Sequence, residues 1–240
     1  MCDHSPAERG QTLEGMLADM RSDAERVSVP DLTGYIDSKA IDSKARVWLD
    51  KLRGHHENTY QHSLRVAQYV DRLAQGADEK DYGGLMHNEV LEMAALHDIG
   101  KLKMPKGLLD KGYIYIKGAT LTPPEYARIK AHTRIGYNLL RKELPLAACA
   151  AGKHHHAYAV EDWPSQCVKS DEKKHTVLRW TRTIELADFY DALTTRRNGK
   201  FATMDVDNPR VQKEILQEHF PDYHNPGHID RLVWNLGLRN

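Results

Sequence analysis

Three histidines stand in a row at His154-His155-His156, and a His97-Asp98 pair is followed one helical turn later by Lys101. His62, His132 and Asp188 are further candidates, each on a different stretch of chain. Imidazole nitrogen and carboxylate oxygen are the donors that iron, manganese, nickel and zinc accept, and an aspartate can bridge two cations. Taken singly, each residue also reads as a satisfied core histidine, an Asp-His hydrogen-bonded pair or a polar surface tract. What decides between these readings is whether the elements that carry the donors turn them to one side.

In HSLRVAQYVDRLA, His62, Val66, Val70 and Leu73 recur at helical spacing, so His62 shares the apolar face. NEVLEMAALHDIGK aligns Val90, Ala94, His97, Asp98 and Lys101 on one side of a helix, with Gly100 a place to stop or bend it. LTPPEYARIKAHTRIGYNLL opens on a capping box, Thr122 with Glu125, and puts Pro123 at the first helical position. Read as one helix, it turns Ile129, His132, Gly136 and Leu139 inward. VLRWTRTIELADFYDALTT sets Val177, Thr181, Ile184 and Asp188 on one stripe, with Asp191 a turn further on and placed to orient a ligand.

A carboxylate on an apolar face needs a partner, because burying it alone is costly. One shared site accounts for all these inward donors together. Seven donors are too many for one tetrahedral zinc, whereas two six-coordinate ions sharing an aspartate and a water use them all. The lack of thiolates favours iron or manganese, while nickel and zinc accept the same donors.

Nearly every informative segment has helical period, so the expected class is all-α. The 240 residues, 40% hydrophobic, suffice for one main core. QTLEGMLADMRSDAERV is amphipathic and VPDLTG breaks it, so residues 1–47 read as a helical extension and 48–240 as the main domain, beginning near Trp48. SQCVKSDEKKH reads as a surface loop, and NPRVQKEILQEHF and NPGHIDRLVWNLG as capped helices that close the bundle.

Thirty-four basic residues balance thirty-four acidic ones, so no global field draws in a nucleic-acid polymer or an anionic membrane. Cys2, Cys149 and Cys167 are odd in number and widely spaced with no CxxC pair, which argues against a disulfide framework and a thiolate zinc site and fits a reducing cytoplasm. No apolar run reaches the ~18 to 20 residues that span a bilayer.

In chain order, His62-Ser63, LHDIGK at 96–101, His132-x-x-x-Gly136, HHH at 154–156 and ADFYDALT at 187–194 resemble the HD superfamily of metal-dependent phosphohydrolases. The resemblance covers about residues 48–205 and is closest to the HD-GYP branch, bacterial phosphodiesterases that degrade cyclic di-GMP and related dinucleotides. It implies a helical HD-domain bundle around a dinuclear site. His62, His97, Asp98 and Asp188 would hold one ion, and Asp98 would bridge to a second held by His132, His155 and His156. A pair one residue earlier, His154-His155, fits the same tract.

Two divalent ions could deprotonate a bridging water and stabilise an in-line phosphoryl displacement, with Lys101 on a nonbridging oxygen. Asp98 and Lys101 are thus the expected catalytic residues, and Arg197 and Lys200 further phosphate contacts. Trinuclear members of the branch carry a glutamate four residues before the first histidine, where this chain has Asn58, so two ions are expected.

The branch's HHExxDGxGYP signature is altered to HHAYAVEDWP from His155, with only Trp163-Pro164 echoing its end. LDKGYIYIKGATLTPPE is longer than the branch's connection; Tyr113 and Tyr115 alternate with isoleucines as in a short hairpin over the core, or could stack on a base. The expected ligand is a small phosphate ester or cyclic dinucleotide. Beside a cyclic-dinucleotide phosphodiesterase stand an HD-type hydrolase of nucleotides or other phosphate esters, a di-iron oxygenase of the superfamily, and a non-catalytic cyclic-dinucleotide sensor.

Overall fold

A computed structural model describes residues 32–75, 77, 79–113, 121–156, 159–164, 170–195, 207–223 and 225–235. Among them all regular structure is helical, in agreement with the all-α reading. Helices α1 (Thr33–Asp37), α2 (Ser43–His55), α3 (Glu57–Ala74), α4 (Glu79–Tyr82) and α5 (His87–Ala95) lead into a 3-10 segment, Ile99–Lys103. After it come α6 (Lys106–Tyr113), α7 (Pro123–Lys130), α8 (His132–Leu140), α9 (Pro145–Lys153), α10 (Asp171–Thr195), α11 (Pro209–His219) and α12 (Pro226–Asp230), the last continued by a π turn, Arg231–Asn235.

Helix α3 sits centrally, packed on α2, α5 and α10, while α5 packs on α9, α9 on α8, and α8 on the 3-10 segment. Its inward residues Leu64, Val66, Ala67 and Val70 are fully buried, as are Met93 and Leu96 around α5 and Ile184 and Leu193 on α10. Asp42 caps α2 by accepting the Lys44 N–H at 2.7 Å. Among the described residues no helix is long and apolar enough to cross a membrane.

Several local expectations are corrected. The single helix expected after Thr122 is two, α7 and α8, parted at Ala131. There the His132 ring Nδ1 donates to the Ile129 carbonyl at 2.7 Å and the Thr133 hydroxyl to the Lys130 carbonyl at 3.2 Å. Side chains thus take the acceptors that a continuous helix would give to its own N–H groups. The α5 helix stops at Ala95, before His97, and the chain tightens into the 3-10 segment. Gly100 is required by close approach: a Cβ there would stand 1.9 Å from the His132 carbonyl oxygen.

Tyr113 ends a helix rather than starting a hairpin, and Tyr115 lies outside the described residues. The DEKKH part of the expected loop begins α10. Helix α2 runs unbroken through Trp48, and Leu32, Ile36, Ile41 and Ala45 are buried in the main core, so the compact unit starts at Leu32. The amphipathic segment from Gln11 lies outside the described residues.

Candidate metal centre

The bundle brings donors from five segments together. His62 Nε2 lies 3.0 Å from Asp188 Oδ1 and 3.4 Å from Asp98 Oδ2. His97 Nε2 is 3.6 Å from Asp98 Oδ2, while His132 Nε2 and His154 Nε2 face the other oxygen, Asp98 Oδ1, at 3.3 and 3.9 Å. His155 Nε2 is 3.9 Å from Asp188 Oδ2. Three overlapping groups of metal-ligating geometry result: His62-His97-Asp98, His97-His154-Asp188 and His132-His154-His155. Asp98 therefore turns one carboxylate oxygen to each side of the cluster.

The triple-histidine tract is divided differently from the pairing His155-His156. His154 is fully buried in the cluster, whereas His156 is exposed and its backbone N–H donates to Glu185 Oε1 at 3.1 Å. Helix α9 ends at Lys153, and the turn that follows aims His154 and His155 inward and the next side chain outward. The signal was present in the sequence: counting the HHExxDGxGYP signature back from Trp163-Pro164 puts its histidines at 154 and 155.

Hydrogen bonds fix the tautomers. A carbonyl oxygen only accepts, so the Nδ1 atoms of His97, His132 and His154 carry protons toward Ala94, Ile129 and Ala150, at 2.7, 2.7 and 3.1 Å. His62 Nδ1 likewise donates to Asp191 Oδ2 at 2.7 Å. The Nε2 atoms of His97, His132 and His154 then present bare lone pairs to the centre, while His62 Nε2 lies against the Asp188 carboxylate at 3.0 Å. His132 Nε2 and His154 Nε2 stand 3.1 Å apart with neither proton available between them. His97 Nε2 is buried with no hydrogen-bond partner. Converging lone pairs and carboxylates of this kind fit divalent cations, which supply the missing positive charge.

Electrostatics favour the same protonation state. Burial opposes the charge on Asp98, but the Lys101 ammonium beside it holds its carboxyl well below the usual range. The contact with His62 lowers the Asp188 carboxyl in the same way against the same burial. Burial depresses His132, His154 and His155 to about 3 from 6.5. Metal ligation needs neutral imidazole and ionised carboxylate, so no proton has to be displaced near neutral pH.

A pH dependence follows for the protein stripped of metal. Between about 6.5 and about 3 the unfolded chain binds protons at these three histidines that the native chain refuses, so stability falls as pH falls. The urea midpoint should drop between about pH 7 and about pH 5, a window above the carboxylate range. A midpoint constant across it would contradict the neutral cluster.

Asp191 lies outside the donor cluster but against it. Fully buried, it accepts from His62 Nδ1 and from Arg65 Nε and Nη2, at 2.6 and 2.9 Å, and so fixes the His62 ring. Asp191→Asn should weaken metal binding by roughly 10- to 100-fold with the ligands themselves intact. Metal titration followed by competition with a chelator measures this, and an unchanged affinity would remove Asp191 from the site. Arg65 was missed in the sequence, although it follows His62 by three residues on the same helix.

Lys101 donates to Asp98 Oδ2 and lines a cavity of about 270 Å³ together with His132, His155 and Asp188. Glu185 also lines it, one turn before Asp188, accepting from His156 and Arg182. Lys153 was missed as well: its ammonium donates to the Val160 and Glu161 carbonyls and lies 4.5 Å over the Trp163 ring, which ties down the altered signature loop. Asn58 is exposed on the first turn of α3. Arg197 and Lys200 lie outside the described residues.

The chain is 29% identical over 164 residues to a cyclic di-GMP phosphodiesterase of Thermotoga maritima, which covers 67% of this chain and 39% of that protein. It is 35% identical over 131 residues to the cyclic di-GMP phosphodiesterase response regulator RpfG of Xanthomonas campestris, covering 51% and 32%. A 3'3'-cGAMP-specific phosphodiesterase 3 of Vibrio cholerae is 32% identical over 148 residues, covering 61% and 29%. The chain thus spans less than two fifths of the length of these relatives. The HD domain profile matches residues 59–193, the span that carries His62, His97, Asp98, His132, His154, His155 and Asp188. On this match and the helical bundle that bears it, the chain belongs to the HD domain family.

Proposed function

We propose that this chain is a metal-dependent phosphodiesterase of the HD-GYP type, hydrolysing a cyclic dinucleotide of the cyclic di-GMP class. The observation that carries the reading is the juxtaposition of Lys101 with the lone-pair cluster at the edge of one cavity. A storage or structural metal site has no use for a lysine there, whereas phosphoryl chemistry does. The names of the relatives support the same reading.

In this reading His62, His97, Asp98 and Asp188 hold one ion, and Asp98, His132, His154 and His155 the other. Iron or manganese suits the nitrogen and oxygen donors, and nickel or zinc is accommodated by the same set. When bound, such a pair of ions activates water and offsets charge on the phosphoryl group. Lys101 offers its ammonium to a nonbridging oxygen, with Arg197 and Lys200 as further phosphate contacts. Asp191 and Arg65 keep the His62 ring in register.

The test is anaerobic purification with metal analysis, then a panel of cyclic di-GMP, 3'3'-cGAMP, mononucleotides and simple phosphate esters, with dioxygen uptake monitored in parallel. Release of a linear dinucleotide from a cyclic substrate is the expected result. Turnover confined to mononucleotides or simple esters would move the chain to the wider HD phosphohydrolases, a reading favoured by the altered loop after His155. Tight binding without cleavage would make it a sensor, and dioxygen uptake without phosphate chemistry would make it an oxygenase.

A further inference from the structure

The cavity beside the donor cluster has a second wall that phosphoryl chemistry does not require. Phe189 follows Asp188 on α10, and its ring stacks on that of His219 at the end of α11, with centroids 4.0 Å apart and planes 17° from parallel. Phe220 meets both rings edge-on, at 5.6 Å from Phe189 and 4.9 Å from His219. All three line the cavity that also reaches Lys101, His155 and Asp188. Phe220 is buried, Phe189 half-buried and His219 exposed, so the wall is anchored at its base and open at its rim.

Helix α11 lies beyond residues 59–193, the span matched by the HD domain profile. The wall is therefore assembled from one residue inside the family's domain and two outside it. Metal donors and a lysine attract any phosphate ester; they do not distinguish what the phosphate is attached to. A paired aromatic surface within the same cavity does, because every nucleobase offers a π-face and stacks with little regard to its hydrogen-bonding edge. Ribose and alkyl groups gain nothing comparable from it.

We propose that Phe189 and His219, backed by Phe220, form a nucleobase subsite that makes this centre prefer nucleotide phosphates over base-free ones. The inference rests on the phosphodiesterase reading above. It assigns Phe189 and His219 to specificity rather than to the reaction, so their loss raises KM and leaves kcat nearly unchanged.

The test uses the full chain loaded with Mn²⁺ and compares calorimetric binding of guanosine 5'-monophosphate and ribose 5-phosphate. The native protein should favour the nucleotide by roughly 5- to 100-fold, the range of one base stacked on an aromatic side chain. His219→Ala, at an exposed position, should abolish most of that preference while ribose 5-phosphate affinity and metal content stay the same. His219→Phe should restore it, and Phe189→Leu should reduce it with apolar volume largely kept. Equal affinities for the two phosphates, or a preference that survives His219→Ala, would overturn the subsite while cyclic-dinucleotide turnover continued. A loaded protein that bound neither phosphate and cleaved no phosphodiester would overturn the proposed function, and the subsite with it.

Discussion

Asp98→Asn should leave the proposed two-ion centre with at most one ion, and the proposed cyclic-dinucleotide turnover reduced by roughly 10³-fold or more, the scale of charge stabilisation that metal ions supply. The two carboxylate oxygens of Asp98 face four imidazoles between them, Oδ2 toward His62 and His97 and Oδ1 toward His132 and His154. An amide keeps the shape but offers one acceptor, and its NH₂ group would point protons at imidazole lone pairs. The variant also loses the charge that Lys101 pairs with. Metal analysis beside steady-state kinetics reads both effects. Full metal content with native turnover would dismantle the proposed centre.

The second large effect is expected from a residue with no side chain. A Cβ on Gly100 would lie 1.9 Å from the His132 carbonyl oxygen, 2.8 Å from its carbon and 2.7 Å from the Gly136 nitrogen. These are backbone atoms of α8, so no rotamer change relieves the clash. Helix α8 would have to retreat from the 3-10 segment, and His132 with it. Gly100→Ala should therefore cost about 3 kcal/mol, the upper range for overpacking, and weaken metal binding on the His132 side. Gly107→Ala on α6, where a Cβ meets nothing within 4 Å, is the control. Urea unfolding and metal titration of the two variants should diverge; a Gly100→Ala protein that matched the control would show that the crossing has slack.

Helical period carried much of this centre because it is a local property. His62 and Asp188 could be placed on inward faces from their neighbours alone, and both lie there. The capping box of Thr122 and Glu125 likewise needed only four residues, and the Glu125 carboxylate accepts the Thr122 N–H at 2.9 Å. The break at Ala131 was not legible in the apolar pattern, since it depends on His132 and Thr133 competing for carbonyls that a periodic reading assigns to the helix. Helical period offered Gly100 only as a place to stop or bend the helix; its actual constraint comes from the backbone of α8, more than thirty residues along the chain.

The sequence by itself determined the donor chemistry and the all-helical class: imidazoles and carboxylates without thiolates, on segments of helical period. The tract's three adjacent histidines left two pairings open, although the count back from Trp163-Pro164 pointed to His154 and His155; the tertiary structure decided for His154 through the way the turn after α9 meets Asp98. It alone joined Asp191 to His62 across 129 residues, and brought Phe189 against His219 beside the donors. Period and spacing are written along the chain, but a coordination centre and its walls are made of contacts between segments, and those are set by packing.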